Sequence, residues 1–170
     1  MRGSCHLVVN LLASPLCAYA AVTFLPAATA HPLVASTTVI IGTILSCKLP
    51  DQIEVIKLLG HRTWSHSIIP IAAIVGLLLF TPTSPWFLQI ALLSIINGYA
   101  IHLLADTFSM TGIPWLAIGP RLRLPLYTTG KTSELLILVL IGAGLITANL
   151  LLVPLFHTWL LQLLQLRSGS

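Results

Sequence analysis

The chain has 170 residues, of which 56% are hydrophobic and 7% charged, with a mean hydropathy of +0.99 and a formal net charge of +4. A soluble domain carries about 25% charged residues, so this composition excludes a water-soluble protein and places the chain in lipid. The charge rests on eight basic residues with no basic stripe interleaved with aromatics, which speaks against a nucleic-acid partner.

The first apolar run, about 7–25, ends at Pro26. Arg2, this run and Ala28-Thr29-Ala30 imitate a cleavable secretory signal. The run is longer than the ~7–15 residues of a signal core, so an uncleaved first helix is the expectation. The second run, 32–49, opens on Pro32, which suits a first helical turn, and leads into Leu49-Pro50-Asp51. A polar connection, 51–62, carries Glu54, Lys57, Gly60 and His61. The third run, 65–80, is short and holds Pro70, which predicts tilt or a kink. After an uncharged turn, 81–85, the fourth run, 86–105, starts at Trp86, an aromatic suited to the membrane interface, and delivers His102 and Asp106 at its far end.

A long connection follows, 107–133, rich in Gly and Pro and carrying Arg121, Arg123 and Lys131. It has too few apolar residues to span and is expected to lie at the interface or dip into it. The fifth run, 134–153, is closed by Pro154, and the apolar tail 155–166 either lies along the interface or makes a sixth, broken span. Cys5, Cys17 and Cys47 show no CxxC spacing and read as small buried hydrophobes. The expectation is an all-α, polytopic membrane helix bundle of five or six spans, each near 20 residues, forming one integral membrane domain.

With five spans, the loops 1–6, 48–65 and 106–133 share one side and hold Arg2, Lys48, Lys57, Arg62, Arg121, Arg123 and Lys131, seven of the eight basic residues. The loops near 26–31 and 81–85 hold none. The positive-inside rule puts the basic loops and the amino terminus in the cytoplasm. The same assignment brings His6, Asp51, His61, His66, His102 and Asp106 to one membrane face from several helix ends, although none of these residues was used to draw it.

Two stretches carry this chemistry: His61-Arg62-Thr63-Trp64-Ser65-His66-Ser67 and His102-Leu103-Leu104-Ala105-Asp106. On a helix, the spacing of His102 and Asp106 places both on one face about a turn apart. Imidazole and carboxylate delivered in that way suit a divalent metal. The bland reading of each residue alone is structural: Asp106 closing a helix, Arg62 snorkelling to lipid phosphate, Trp64 in an interfacial belt, Asp51 capping a turn. Together, however, three or four imidazoles and two carboxylates suffice for one or two zinc-like ions with an open position for water. Asp51 is then either a ligand or the acceptor of a proton from that water. His61 and Arg62 join it as candidate catalytic residues, Arg62 with Arg121 and Arg123 as donors to a phosphate group. His31 and His157 are expected to be structural.

The chain resembles the YdjM family of predicted membrane-bound metal-dependent hydrolases. The resembling parts are His6, Leu49-Pro50-Asp51, His61-Arg62 with Ser65-His66-Ser67, Gly98-Tyr99 with His102-Leu103-Leu104-Ala105-Asp106, then Gly112, Pro114 and the Arg121/Arg123 loop ending near Gly130. More remotely, the order of His and Asp residues is similar to that of zinc-dependent phospholipases C. That likeness implies ligand roles for His6, Asp51, His66, His102 and Asp106, with Asp106 bridging two ions. The chain departs from the family at Ile53, where a second acid is usual, with Glu54 next to it. No His-x-x-x-Glu follows later, which argues against a third metal.

The expected function is hydrolysis of an ester or phosphoester, a lipid head group among the candidates, by metal-activated water at the cytoplasmic face of a bacterial inner membrane. The alternatives are a membrane protein that binds or moves a metal without catalysis, and one whose polar residues only pin loops.

Overall fold

A computed structural model of the chain describes residues 3–24, 31–54, 64–80, 84–116 and 118–168. Helix α1 (Gly3–Phe24) is followed by α2 (Pro32–Ser46) and the short α3 (Leu49–Glu54). A 3-10 turn (Trp64–His66) then leads into α4 (Ile69–Phe80) and α5 (Trp86–Thr107). Strands β1 (Ile113–Leu116) and β2 (Ile118–Leu122) precede the last helix, α6 (Thr132–Ser168). The protein is an all-α membrane helical protein apart from that hairpin.

Among the described residues, three stretches are long and apolar enough to cross a membrane: Ser4–Thr23, Trp86–Thr107 and Thr132–Leu152. Helices α2 and α4, with 15 and 12 residues, are shorter. At about 1.5 Å per residue they reach roughly 22 and 18 Å, less than a hydrocarbon core of about 30 Å. The second apolar run ends as a helix at Ser46 because a turn at Cys47 and Lys48 redirects the chain into α3. The third run loses its first residues to the 3-10 turn.

Two expectations built on prolines are corrected. Pro70 does not kink α4: it stands in the first turn, where its missing N–H would have had no intrahelical partner. Pro154 does not close the last helix, which continues through it to Ser168, so the tail is neither a separate interfacial segment nor a sixth span. Pro154 stands two residues beyond the apolar stretch Thr132–Leu152, and the helix runs on through it.

Helix α1 packs against α2, α5 and α6, and α2 against α5. The buried apolar clusters are built largely of small residues, such as Ala18, Ala21, Ala35 and Val39 between α1 and α2. Lipid is as apolar as leucine, so helix association here depends on close packing rather than on escape from water. The α2–α5 crossing is close. A Cβ at Gly98 would collide with the Ser46 hydroxyl and the Thr43 carbonyl. Ser46 Oγ donates to the Gly42 carbonyl (2.7 Å) and is shared with the Ser94 carbonyl (3.2 Å).

Pro15 stands inside α1 and leaves the Leu11 carbonyl without its helical donor. Ser14 Oγ donates to that carbonyl (3.0 Å), and Asn149 of α6 donates to the neighbouring Leu12 carbonyl (2.7 Å).

The long connection holds a local sheet: β1 and β2 pair antiparallel, Ile113 opposite Leu122 and Pro114 opposite Arg121. Gly112, at φ +60°, turns the chain where a Cβ would press on the Leu122 carbonyl. The segment after β2 then returns over the end of α5, with Leu124 N–H on the Thr107 carbonyl (2.8 Å) and Tyr127 Oη on the Ala105 carbonyl (2.9 Å).

Candidate metal centre

The start of α1, the end of α5, the first turn of α3 and the 3-10 turn meet at one end of the bundle. They bring His6, His66, His102 and Asp106 together, all buried, with Asp51 at the rim, its side chain 46% exposed. His6 Nε2 lies 3.3 Å from Asp106 Oδ1, and His66 Nε2 lies 3.2 Å from Asp51 Oδ1. His102 Nε2 stands between the two carboxylates, 3.7 Å from Asp51 Oδ1 and 3.7 Å from Asp106 Oδ2. The His6 and His102 rings stack with centroids 3.8 Å apart.

Two groups of three donors therefore share His102: His6, His102 and Asp106, and Asp51, His66 and His102. Within each group the ligand atoms lie within 4.8 Å of one another. The spacing of four between His102 and Asp106 does put them on one face of α5, with Asp106 in the last turn.

The orientation of each ring has a local cause. A carbonyl oxygen can only accept, so the 2.6 Å contact between His102 Nδ1 and the Cys47 carbonyl requires the proton on Nδ1. In the neutral ring this leaves the Nε2 lone pair directed at the carboxylates, and Nε2 has no hydrogen-bond partner among the described residues. A lone pair facing carboxylate oxygens is repulsive unless a cation lies between them. That donor set fits a divalent ion, with the other ring nitrogen held by the protein as metal-ligating histidines usually have it.

His66 is held in the same manner, its Nδ1 3.1 Å from Ser65 Oγ. Tyr99 donates to the Ser65 carbonyl and so ties the 3-10 turn to α5. Ser67 Oγ accepts from Ile69 N–H (3.3 Å) and opens α4. The two hydroxyls flanking His66 thus have separate structural tasks.

Asp51 lies outside the membrane-spanning helices. Burial raises its carboxyl pKa, but the hydrogen bond with His66 and the nearby His102, His66 and His6 rings outweigh that and hold it below the ordinary carboxylate value.

His61 and Arg62, the other candidate catalytic residues, lie outside the described residues, as does the side chain of Glu54. Ile53, where the family usually has an acid, packs beside Leu49 against Tyr99, Leu103 and Ile113. It therefore points to an apolar cluster, while Asp51, two residues earlier on α3, faces the centre. Arg121 and Arg123 are exposed, Arg121 donating to the Thr111 carbonyl (3.2 Å). His31 stacks on Trp86 near the start of α2, which accounts for it structurally.

Sequence reasoning passed over the Cys47 carbonyl, which holds His102, and Tyr127, which holds the last turn of α5. Cys47 contributes a backbone carbonyl, which no side-chain pattern announces. Tyr127 comes from an irregular segment with no periodic signal. Tyr99, quoted with Gly98 among the family-like residues, is three residues before His102 and hence on a neighbouring face.

This is an integral membrane helical protein with a candidate metal centre at one end of its bundle. The chain is similar to Inner membrane protein YdjM of Escherichia coli (strain K12), with 28% identity over 111 residues, covering 55% of this chain and 57% of the relative. The YdjM protein of Shigella flexneri matches to the same extent. The match thus spans little more than half the length of these curated relatives, and it supports membership of a YdjM-like family, the expectation drawn from the motifs. No family model and no solved structure matches the chain. The more remote likeness to zinc-dependent phospholipases C is not shown by these comparisons.

Proposed function

We propose that the protein is a metal-dependent hydrolase of the bacterial inner membrane, acting on an ester or phosphoester at the cytoplasmic face. The observation that carries this reading is the His102 ring, fixed by the Cys47 carbonyl so that Nε2 faces Asp51 and Asp106. His102 Nε2 offers a single lone pair, so the ion it ligates would be completed either by His6 and Asp106 or by Asp51 and His66, the other pair being left for a second, zinc suiting the imidazole and carboxylate donors. When bound, such an ion supplies Lewis acidity and lowers the pKa of a coordinated water towards neutrality.

The chain's own residues do the rest. Buried His6, His66, His102 and Asp106 keep the inner side of the centre dry, which strengthens every charge interaction there. Asp51, half-exposed, leaves one approach open, and its ionised carboxylate either ligates or accepts a proton from the attacking water. His61 and Arg62 stand close in sequence to His66, and Arg62 offers a planar fork for a phosphate. The inner-membrane location is supported by the relatives' description, and the cytoplasmic sidedness by the basic loops.

The test is metal content of the detergent-solubilised protein, wild type beside His66→Ala and His102→Ala, followed by phosphoester and lipid-ester hydrolysis with the loaded protein. Metal in the wild type, lost in both variants along with turnover, is the expected result. Metal without turnover of any ester leaves the binding protein of the alternative reading. A stable wild type that takes up no zinc or manganese overturns both.

A further inference from the structure

A groove of about 460 Å³ runs along the outer side of the α2–α5 crossing, bounded by Thr38, Ile41, Leu45, Leu49, Ala91 and Ile95. Gly42 and Ser94 lie in its lining, where the two helices are too close for a larger side chain at Gly42. The serine hydroxyls of the lining are tied to backbone carbonyls of their own helices: Ser94 Oγ donates to the Ile90 carbonyl (2.7 Å) and Ser46 Oγ to the Gly42 carbonyl. From Ile41 to Leu49 the groove therefore presents mainly apolar surface, with Thr37 and Thr38 at its far end.

Its position is specific. Ile41 and Leu45, on its wall, are 52% and 71% exposed, beside the membrane-crossing α5. From Thr37 to Ser46 it follows α2 for about 14 Å at 1.5 Å per residue, close to one leaflet of a hydrocarbon core, roughly 15 Å. At its polar end stand Ser46 and Leu49. The carbonyl of Cys47 between them holds His102, Lys48 is exposed, and Asp51 forms the open rim of the candidate metal centre. An occupant must be apolar for one leaflet's depth and polar where the groove meets that rim, with a negative group favoured beside Lys48.

We propose that the α2–α5 groove holds one acyl chain of an anionic membrane phospholipid and thereby presents its head group to the centre formed by Asp51, His66 and His102. This deepens the hydrolase reading and rests on it for the word substrate, but the binding of the lipid stands on the groove itself. The surrounding bilayer supplies the chain, and the groove selects its depth. Lys48 attracts the phosphate, and the head group then lies against Asp51 rather than drifting in the interface.

The test uses the full chain in phosphatidylethanolamine–phosphatidylglycerol vesicles doped with phosphatidylglycerol bearing a photoactivatable acyl chain, with crosslinked peptides mapped and metal content measured on the same samples. In the wild type, labelling is expected to concentrate in 37–49 and 91–95 above the level along Ile69–Phe80. Ala91→Trp, and Leu45→Trp at the more exposed wall, should reduce it to that level with metal retained. Leu150→Trp, in the separate groove between α1 and α6, should leave it unchanged. His102→Ala should keep the labelling while losing metal, which separates the two readings. Labelling spread evenly over the lipid-facing helices, or persisting in both Trp variants, overturns the proposal. Concentrated labelling in a protein that binds no metal would sustain the groove and overturn the hydrolase.

Discussion

His66 and His102 each have one ring nitrogen engaged by the protein and the other turned to a carboxylate. For His66 the contact on Nδ1 is Ser65 Oγ, and removing it takes away one of the contacts that orient the ring. Ser65→Ala is expected to weaken zinc affinity by about 10-fold or more with helical content unchanged, measured by competition with a chelator. An affinity equal to wild type would show that the hydroxyl does not orient the ring. Asp51 gives a pH signature in the metal-free protein. Its carboxyl pKa is lowered in the fold, so its stabilising contribution is complete above the unfolded value of about 3.9 and is lost as pH falls through the lower folded value. The gap in thermal stability between wild type and Asp51→Asn should therefore narrow only on strong acidification. Half exposure limits that gap to about 1 kcal/mol or less. Metal uptake, by contrast, is expected to be lost on mild acidification, since ligating imidazoles must be neutral.

The α2–α5 crossing sets the position of the centre. Gly98 is one turn before His102, and Ser46 is the residue before Cys47, so the close approach of Gly98 to Ser46 is what brings the Cys47 carbonyl to His102 Nδ1. Gly98→Val would push the helices apart and should abolish metal binding as well as lower stability, by overpacking costs of about 1–3 kcal/mol. Metal content and thermal denaturation together check it. Asn149 makes a contrasting case on the other side of α1. Its amide donates to the Leu12 carbonyl near Pro15, about 9 Å along α1 from His6 at 1.5 Å per residue. Asn149→Leu should cost about 1 kcal/mol, as interhelical hydrogen bonds in membranes do, and leave metal content intact. Helix α6 shows the limit of a local rule, because Pro154, a stop signal by sequence, stands inside a helix that continues to Ser168.

For the molecule as a whole, the distribution of basic residues predicts sidedness. In a background with Cys5, Cys17 and Cys47 replaced by alanine, Thr129→Cys should react with a membrane-impermeant maleimide only from the cytoplasmic side. Ser84→Cys should react only from the opposite side. Reversed labelling would put the centre outside and remove the sidedness from the proposed function. All the described polar ligands gather at one end of the bundle, so the centre faces one aqueous phase and one leaflet.

The helical runs were readable from composition because a backbone in lipid must satisfy its own hydrogen bonds, and only helices of sufficient apolar length do so. The pairing of His102 with Asp106 was readable too, since a spacing of four repeats a helix face. The gathering of His6 and Asp51 with them followed from counting basic residues in loops, a whole-chain property that needs no packing detail. The hairpin at 113–122 was not readable, because its residues alternate too weakly among glycines and prolines to distinguish a strand from an interfacial loop. Nor was the Cys47 carbonyl, since backbone atoms carry no residue signature. Which ring nitrogen of His102 faces the carboxylates, whether Ile53 or Asp51 points to the centre, and how near α2 comes to α5 were decided only by tertiary structure. They depend on distances between segments far apart in the chain, and those distances are set by small side chains packing where sequence spacing says nothing.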